Sequence, residues 1–290
     1  MSEFTTPDFL SIGVLTNDVT PEPGNPHGRV RPGGAAAFAA VCAQGLGLKA
    51  AVVTSAAPGY PVEYVLPGID VVVVESEFTT FFQNLYGPDG ERTQVLGGRS
   101  SSIARSDIPP AWLRAPIVFF GPLVRETPPD AREWFPDAAV GAAVQGWLRR
   151  WDDYGRVREV GGPGAGLDIG VAGGYRLLAG SAEEFHESDG REMAQWAACT
   201  DVVGVTDGSN GARIYAEGVS LDIPVYSANE MDPTGAGDIW AAACLVRLVE
   251  SDDPEEAARF ANAAASISVE RDGLSGAPGR SEIAARMARG

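Results

Sequence analysis

The segment Asp232-Pro233-Thr234-Gly235-Ala236-Gly237-Asp238 sets two carboxylates around a run of small residues, and an apolar stretch over 239–249 follows at once. That stretch suits a buried helix, so 235–238 is expected to form its first turn. First-turn amides have no partner inside a helix, and the aligned peptide dipoles add partial positive charge there. Small side chains leave those amides open, which makes an anion site of the kind that holds phosphate. A carboxylate at the same place, Asp238, can take a proton from a hydroxyl nucleophile while the amides hold the group being transferred. An Asp/Gly helix start with no ligand is the competing reading, and two aspartates framing the small residues count against it.

The remaining inventory narrows the chemistry. Lys49 is the only lysine, and its surroundings, Gly45-Leu46-Gly47-Leu48-Lys49-Ala50, do not match a G-x-x-x-x-G-K-[ST] phosphate loop. His27 and His186 are the only histidines, too few for a multi-histidine metal site. Cys42, Cys199 and Cys244 lie far apart without a C-x-x-C pair, so they read as buried thiols of a reducing compartment. Lys plus Arg number 22 against 39 Asp plus Glu, a net charge of −17. Such a balance repels nucleic acid and anionic lipid, so neither is an expected partner. Catalysis is left to carboxylates, hydroxyls, arginines and backbone amides.

Elements able to position these groups can be read from periodicity. With 290 residues, 44% hydrophobic and 21% charged, the chain has the make-up of a soluble globular protein. Short apolar runs bounded by turn residues predict strands over 9–15, 50–54, 71–75, 117–120, 138–144, 176–179 and 202–206. Ala-rich helical spacing predicts helices over 34–46, 181–187, 191–198, 237–250 and 254–270. This alternation implies an α/β fold, a doubly wound, mostly parallel sheet with helices on both faces. The segment 77–96 alternates like an antiparallel hairpin with Gly87-Pro88-Asp89-Gly90 as its turn, and Phe78, Thr80, Phe82, Asn84 and Tyr86 would share one face. It can cover a cleft or extend the main sheet. The segment 160–174, with seven glycines, reads as a mobile connection. Arg149 and Arg150 read as an exposed pair, with a phosphate contact as the competing reading. No window approaches 18 apolar residues and the first residues lack a signal-peptide pattern, so a cytoplasmic protein is expected.

The 232–238 segment resembles the C-terminal signature of the ribokinase-like (PfkB) carbohydrate and nucleoside kinases. Further resemblances run in the family's order: Gly33-Gly34-Ala35-Ala36-Ala37-Phe38 continuing to Gly45-Leu46-Gly47, Thr206-Asp207-Gly208-Ser209-Asn210-Gly211, and Asn262-Ala263-Ala264-Ala265-Ser266. The resemblance implies one kinase domain over 1–290 with 77–96 as its lid. It implies an ATP-dependent transfer to a hydroxyl with Mg²⁺ as cofactor, and K⁺ in addition where relatives have a monovalent-cation loop. Asp238 would be the general base, with Gly235, Ala236 and Gly237 as the anion hole. Thr206, Gly208 and Gly211 would lie along the nucleotide and Asn262 near its base. Asp18, Gly33 and Gly34 would meet the acceptor, and Glu184 and Asp232 would serve the metals.

Two departures bear on the acceptor. Phe38 stands where the GG segment usually carries Asn, and the family's N-x-x-E motif appears as Ser181-Ala182-Glu183-Glu184. With Thr79-Thr80-Phe81-Phe82 and Arg213-Ile214-Tyr215, these features resemble the plant-type myo-inositol kinases. Phe38 would wall the acceptor site or pack into the core, and Gln145, at a strand end, would line the cleft. The expected acceptor is a small polyol, a cyclitol or sugar. A nucleoside kinase or a non-catalytic binding relative is the alternative, and the chain would act as a monomer or homodimer.

Overall fold

The computed structural model describes residues 4–22, 24–86, 92–158, 173–185 and 190–290. In chain order its elements begin with β1 (Phe9–Ile12), β2 (Thr16–Glu22), β3 (Asn25–Gly33), α1 (Ala35–Gly45), β4 (Ala50–Ala56), α2 (Val62–Val65) and β5 (Asp70–Glu75). There follow β6 (Thr80–Tyr86), β7 (Arg92–Gly98), β8 (Ile117–Phe120), β9 (Ala139–Ala143), α3 (Gln145–Leu148), β10 (Arg150–Trp151) and β11 (Val157–Arg158). The chain ends with β12 (Leu177–Ser181), α4 (Gly190–Ala197), β13 (Val202–Thr206), β14 (Ala212–Ala216), β15 (Val219–Ile223), α5 (Ala236–Ser251), α6 (Pro254–Ser268) and α7 (Arg280–Met287).

Nine strands form the main sheet in the order β15-β14-β13-β12-β9-β8-β1-β4-β5. The seven strands from β13 to β5 are parallel, and β14 and β15 extend the edge antiparallel. Strands buried on both faces must be apolar throughout, and β1, β4 and β8 are buried along their whole length. One face packs on α1, α5 and α6, where alanines let the helices approach closely. The other is covered by α4 and by aromatic residues including Trp112, Phe135, Trp147 and Trp196. At α6 the sequence signals coincide: Asp253 accepts the Glu256 amide at 3.0 Å and Pro254 opens the first turn.

The predicted parallel strands all occur, with ends moved by a few residues, and the helices near 34–46, 191–198, 237–250 and 254–270 occur as α1, α4, α5 and α6. The predicted helix over 181–187 is instead a short turn through Phe185, and 186–189 lie outside the described residues. So do the hairpin turn at 87–90 and all of the glycine-rich 160–174 segment except Gly173 and Gly174.

The hairpin is half of a second sheet. A separate four-stranded sheet, ordered β3-β2-β6-β7, joins it to a second hairpin made by β2 and β3. The two hairpins meet where β2 and β6 run parallel, pairing Asp18 with Phe82. Period-two alternation gives this sheet two faces. Asp18, Arg31, Phe82, Asn84 and Gln94 face the cleft, whereas Val30, Phe81 and Leu85 are exposed.

Candidate active site

A cleft of about 920 Å³ runs between the C-terminal ends of the parallel strands and the inner face of the four-stranded sheet, where ligands of open α/β sheets bind. Of the site residues expected from the sequence, all but Gly33 line it. Gly33 sits behind the wall, where a Cβ would lie 3.2 Å from both Asp18 Oδ2 and Thr16 Oγ1. Gly34 is required for a backbone crossing: its φ is +111° and a Cβ would sit 2.5 Å from the Val14 carbonyl oxygen.

Gly235 caps α5 in the left-handed conformation, φ 78°. A Cβ there would fall 2.3 Å from Phe38 Cδ1, so the turn rests directly on the Phe38 ring. Of the two expected places for Phe38, acceptor wall or core, the burial of the ring favours the core, although Phe38 also borders the cleft. The ring is only 2% exposed and joins the core beneath the anion turn. Ala236 is a correction, since its amide donates to the Pro233 carbonyl at 3.2 Å. Among the described residues, the amides of Gly237 and Asp238 have no backbone acceptor and point to the helix start. Gly237 faces open space.

Asp238 is half-buried at this helix start. Its carboxyl is raised to about 7, first by burial and then by the charges of Glu184 and Asp18, against the pull of Arg149. A carboxyl near neutrality can both hold and release a proton, as a general base requires. Glu184 is buried, and its Oε2 accepts the Ser181 amide at 2.8 Å while Ser181 Oγ accepts the Glu184 amide at 3.2 Å. Ser181 therefore caps this turn. No group of three or more His, Cys, Asp or Glu residues suited to a metal occurs among the described residues. Mg²⁺ keeps waters and takes phosphate oxygens with one or two carboxylates, so Glu184 beside Asp238 fits it. Asp232 does not fit a metal ion, because Arg31 and two backbone amides already occupy its carboxylate.

On the other side of α5, Thr206 ends β13 and Gly208 (φ +48°) faces open space. Gly211, at φ +95°, closes the turn into β14, where a Cβ would lie 2.4 Å from the Ile223 carbonyl oxygen. Asn262, expected near the base, lines the cleft, but its side chain is already engaged. Its amide donates to the carbonyls of Ile223 at 3.0 Å and Pro224 at 2.9 Å, and its oxygen accepts from Trp240 Nε1 at 2.7 Å. Asn262 is a brace between α5, α6 and the 223–224 segment.

Sequence reasoning misplaced Arg149, which is 5% exposed and lines the cleft with its guanidinium 5.5 Å from the Phe82 ring centre. Arg149 follows the single turn of α3 and is directed under Phe82 of the four-stranded sheet, a placement that residue type alone does not encode. The pair Asn84 and Gln94 on the same sheet, joined at 3.1 Å, was also missed as a unit. Its signal was the alternation that put Phe82 and Asn84 on one face. Gln145 opens α3 at the end of β9 and lines the cleft.

Residues 176–278 match the pfkB family carbohydrate kinase pattern. Ribokinase of Bacillus subtilis is 44% identical over 80 residues, which is 27% of this chain and 27% of that protein. Inositol 3-kinase of Arabidopsis thaliana is 31% identical over 141 residues, 46% of this chain and 37% of that protein. The chain thus aligns with well under half the length of these relatives. Among solved structures, a sulfate complex of a pyrophosphate-dependent kinase in the ribokinase family superposes with TM-score 0.78 at 22% identity, covering 96% of this chain and 99% of that one. Arabidopsis thaliana ribokinase complexed with ribose and ATP superposes with TM-score 0.74 at 20% identity, covering 98% and 99%.

Proposed function

We propose that this chain, which has the ribokinase fold and the PfkB pattern over 176–278, is a kinase that transfers the γ-phosphoryl of ATP to a hydroxyl of a small polyol, a cyclitol or sugar. The observation that carries this reading is Asp238: a carboxyl at about 7, at the start of α5, beside open amides and under a polar lid. The acceptor hydroxyl would give its proton to Asp238 as the oxygen attacks phosphorus. The Gly237 and Asp238 amides would hold the transferring group, and Arg149 would offset its negative charge. Mg²⁺, when bound with the phosphates, supplies further charge neutralisation, with Glu184 as its protein partner through water. The lid would hold the acceptor through Asp18, Asn84 and Gln94. A site built of hydrogen-bonding groups rejects a wrong hydroxyl arrangement strongly, which favours a hydroxyl-rich acceptor.

The whole chain is read as one domain with the four-stranded sheet as its lid. A reducing, cytoplasmic setting goes with this reading and with Cys42, Cys199 and Cys244, all free. The test is a coupled ADP-release assay over inositols, sugars and nucleosides, with a parallel arm using pyrophosphate as donor and phosphate release as readout. Turnover on a cyclitol or sugar with ATP supports the reading. Turnover only on nucleosides, or only with pyrophosphate, replaces its acceptor or its donor. Nucleotide binding with no turnover on any acceptor would mark a non-catalytic relative.

A further inference from the structure

The carboxylate that opens the 232–238 motif is fully engaged. Asp232 Oδ2 accepts Arg31 Nη1 at 2.8 Å and the Gly273 amide at 3.2 Å, and Oδ1 accepts the Thr234 amide at 3.1 Å. Two of the neighbouring carbonyls are engaged as well. Val269 accepts the Met231 and Asp232 amides at 2.7 and 3.0 Å, and Ser268 accepts the Arg271 amide at 3.1 Å. A hard cation needs several oxygens turned into one space, and here N–H donors meet those oxygens. The monovalent ion that the family resemblance places between Asp232 and 268–273 does not fit this arrangement. A guanidinium stands beside the carboxylate.

We propose that Arg31 is a positioning residue: a built-in cation that holds the anion turn in shape, makes a monovalent metal ion dispensable, and fastens the lid sheet to that turn. Arg31 lies on β3, a lid strand, and its second nitrogen reaches Asp272 at 3.0 Å. Arg29, two residues back on the same face, reaches Asp272 at 3.4 Å. β3 is thus stapled to both loops that flank the start of α5. Asp232 is only 8% exposed, and a buried carboxylate without a partner is strongly unfavourable. Burial pushes its carboxyl up, but the Thr234 hydroxyl and amide, the Gly273 amide and Arg31 outweigh it and hold the group below the usual range. A charged Asp232 holds the Thr234 amide, which fixes the peptide leading into Gly235. On the other side, Arg31 is the register partner of Asp18 in β2, a cleft residue. A shift of the lid around an acceptor is therefore relayed through Arg31 and Asp232 to the amides beside Asp238.

The kinetic consequence rests on the phosphotransfer reading, whereas the structural one does not. The test compares wild type, Arg31→Met and Arg31→Lys in potassium chloride and in tetramethylammonium chloride at equal ionic strength. Melting temperature, ATP affinity by calorimetry and amide hydrogen exchange over 233–237 are measured. Wild type should melt and bind ATP alike in both salts. Arg31→Met should exchange the 233–237 amides several-fold faster and bind ATP about tenfold more weakly, while Arg31→Lys, which keeps the charge, falls between. Potassium should restore part of the loss in Arg31→Met. A wild type that binds ATP or gains stability only with potassium would overturn the proposal. Unchanged exchange at 233–237 in Arg31→Met would do so too. If wild type binds no ATP in either salt, ATP as the donor fails, and the melting and exchange measurements still decide the role of Arg31.

Discussion

Asp238→Asn removes the proton acceptor at nearly constant shape, and the burial of this side chain makes its two consequences run in opposite directions. The carboxyl sits at about 7 against an ordinary 3.8, raised first by burial and then by Glu184. Taken whole, a rise of that size is about 4 kcal/mol by which the charged form is disfavoured in the folded chain. The side chain keeps some solvent contact, and screening brings the usable part to about 1–2 kcal/mol. The folded chain binds this proton more tightly than the unfolded chain does. The penalty is therefore absent below about pH 4, grows as pH rises to about 7, and is constant above that. Asparagine carries no charge and escapes it. Asp238→Asn should melt a few degrees higher than wild type at pH 8, since about 1 kcal/mol moves a chain of this size by about 2–4 °C. The gain should shrink at pH 5.5. Turnover should fall by about 10²-fold or more, the share of a positioned base. Scanning calorimetry at both pH values and a coupled ADP-release assay read the two effects separately. A variant that melts below wild type at pH 8 would refute the burial argument, and near-normal turnover would refute the assignment of the base.

The remaining expectations concern the same turn and its neighbours. The pH profile of kcat/KM should lose activity as pH falls through about 7, because Asp238 must give up its proton to act; a profile flat down to pH 5 would contradict it. Arg149→Met removes the charge that lowers Asp238, so this limb should move to higher pH while kcat falls; an unmoved limb would separate the two residues. Gly235→Ala puts a Cβ 2.3 Å from the Phe38 ring at φ +78°, which should cost about 1–3 kcal/mol in denaturant melts and weaken ATP binding. Phe38→Ala should cost about 3–5 kcal/mol by emptying the core under the turn. An unchanged melting temperature would return Phe38 to the acceptor wall.

The four-stranded sheet shows where sequence patterning reaches its limit. Alternation over 77–96 was readable because Phe82 and Asn84 face one way and Phe81 and Leu85 the other. The partner hairpin was not readable. Between Thr16 and Gly33 the chain is polar and broken by Pro21, Pro23, Pro26 and Pro32, so it carries no apolar period of its own. It becomes β2 and β3 because β6 offers a parallel edge for pairing. The antiparallel edge β14–β15 was missed for a similar reason, since β15 is exposed along most of its length.

By itself, the sequence determined the wound parallel sheet, the anion turn at the head of α5 and the carboxylate at its start. Each depends on local rules: strands buried on both faces must be apolar throughout, and small residues before a buried helix leave its first amides open. The tertiary structure alone decided which polar groups are free to act. Asn262 is consumed by Trp240, Ile223 and Pro224, Phe38 lies under Gly235, Asp232 is bound to Arg31 across 201 residues of chain, and Arg149 is turned inward beneath Phe82. A motif specifies a residue type at a position in the chain. Whether its hydrogen-bonding capacity is already spent depends on groups distant in sequence that only packing brings within 3 Å, and a buried polar group takes whichever partner packing provides.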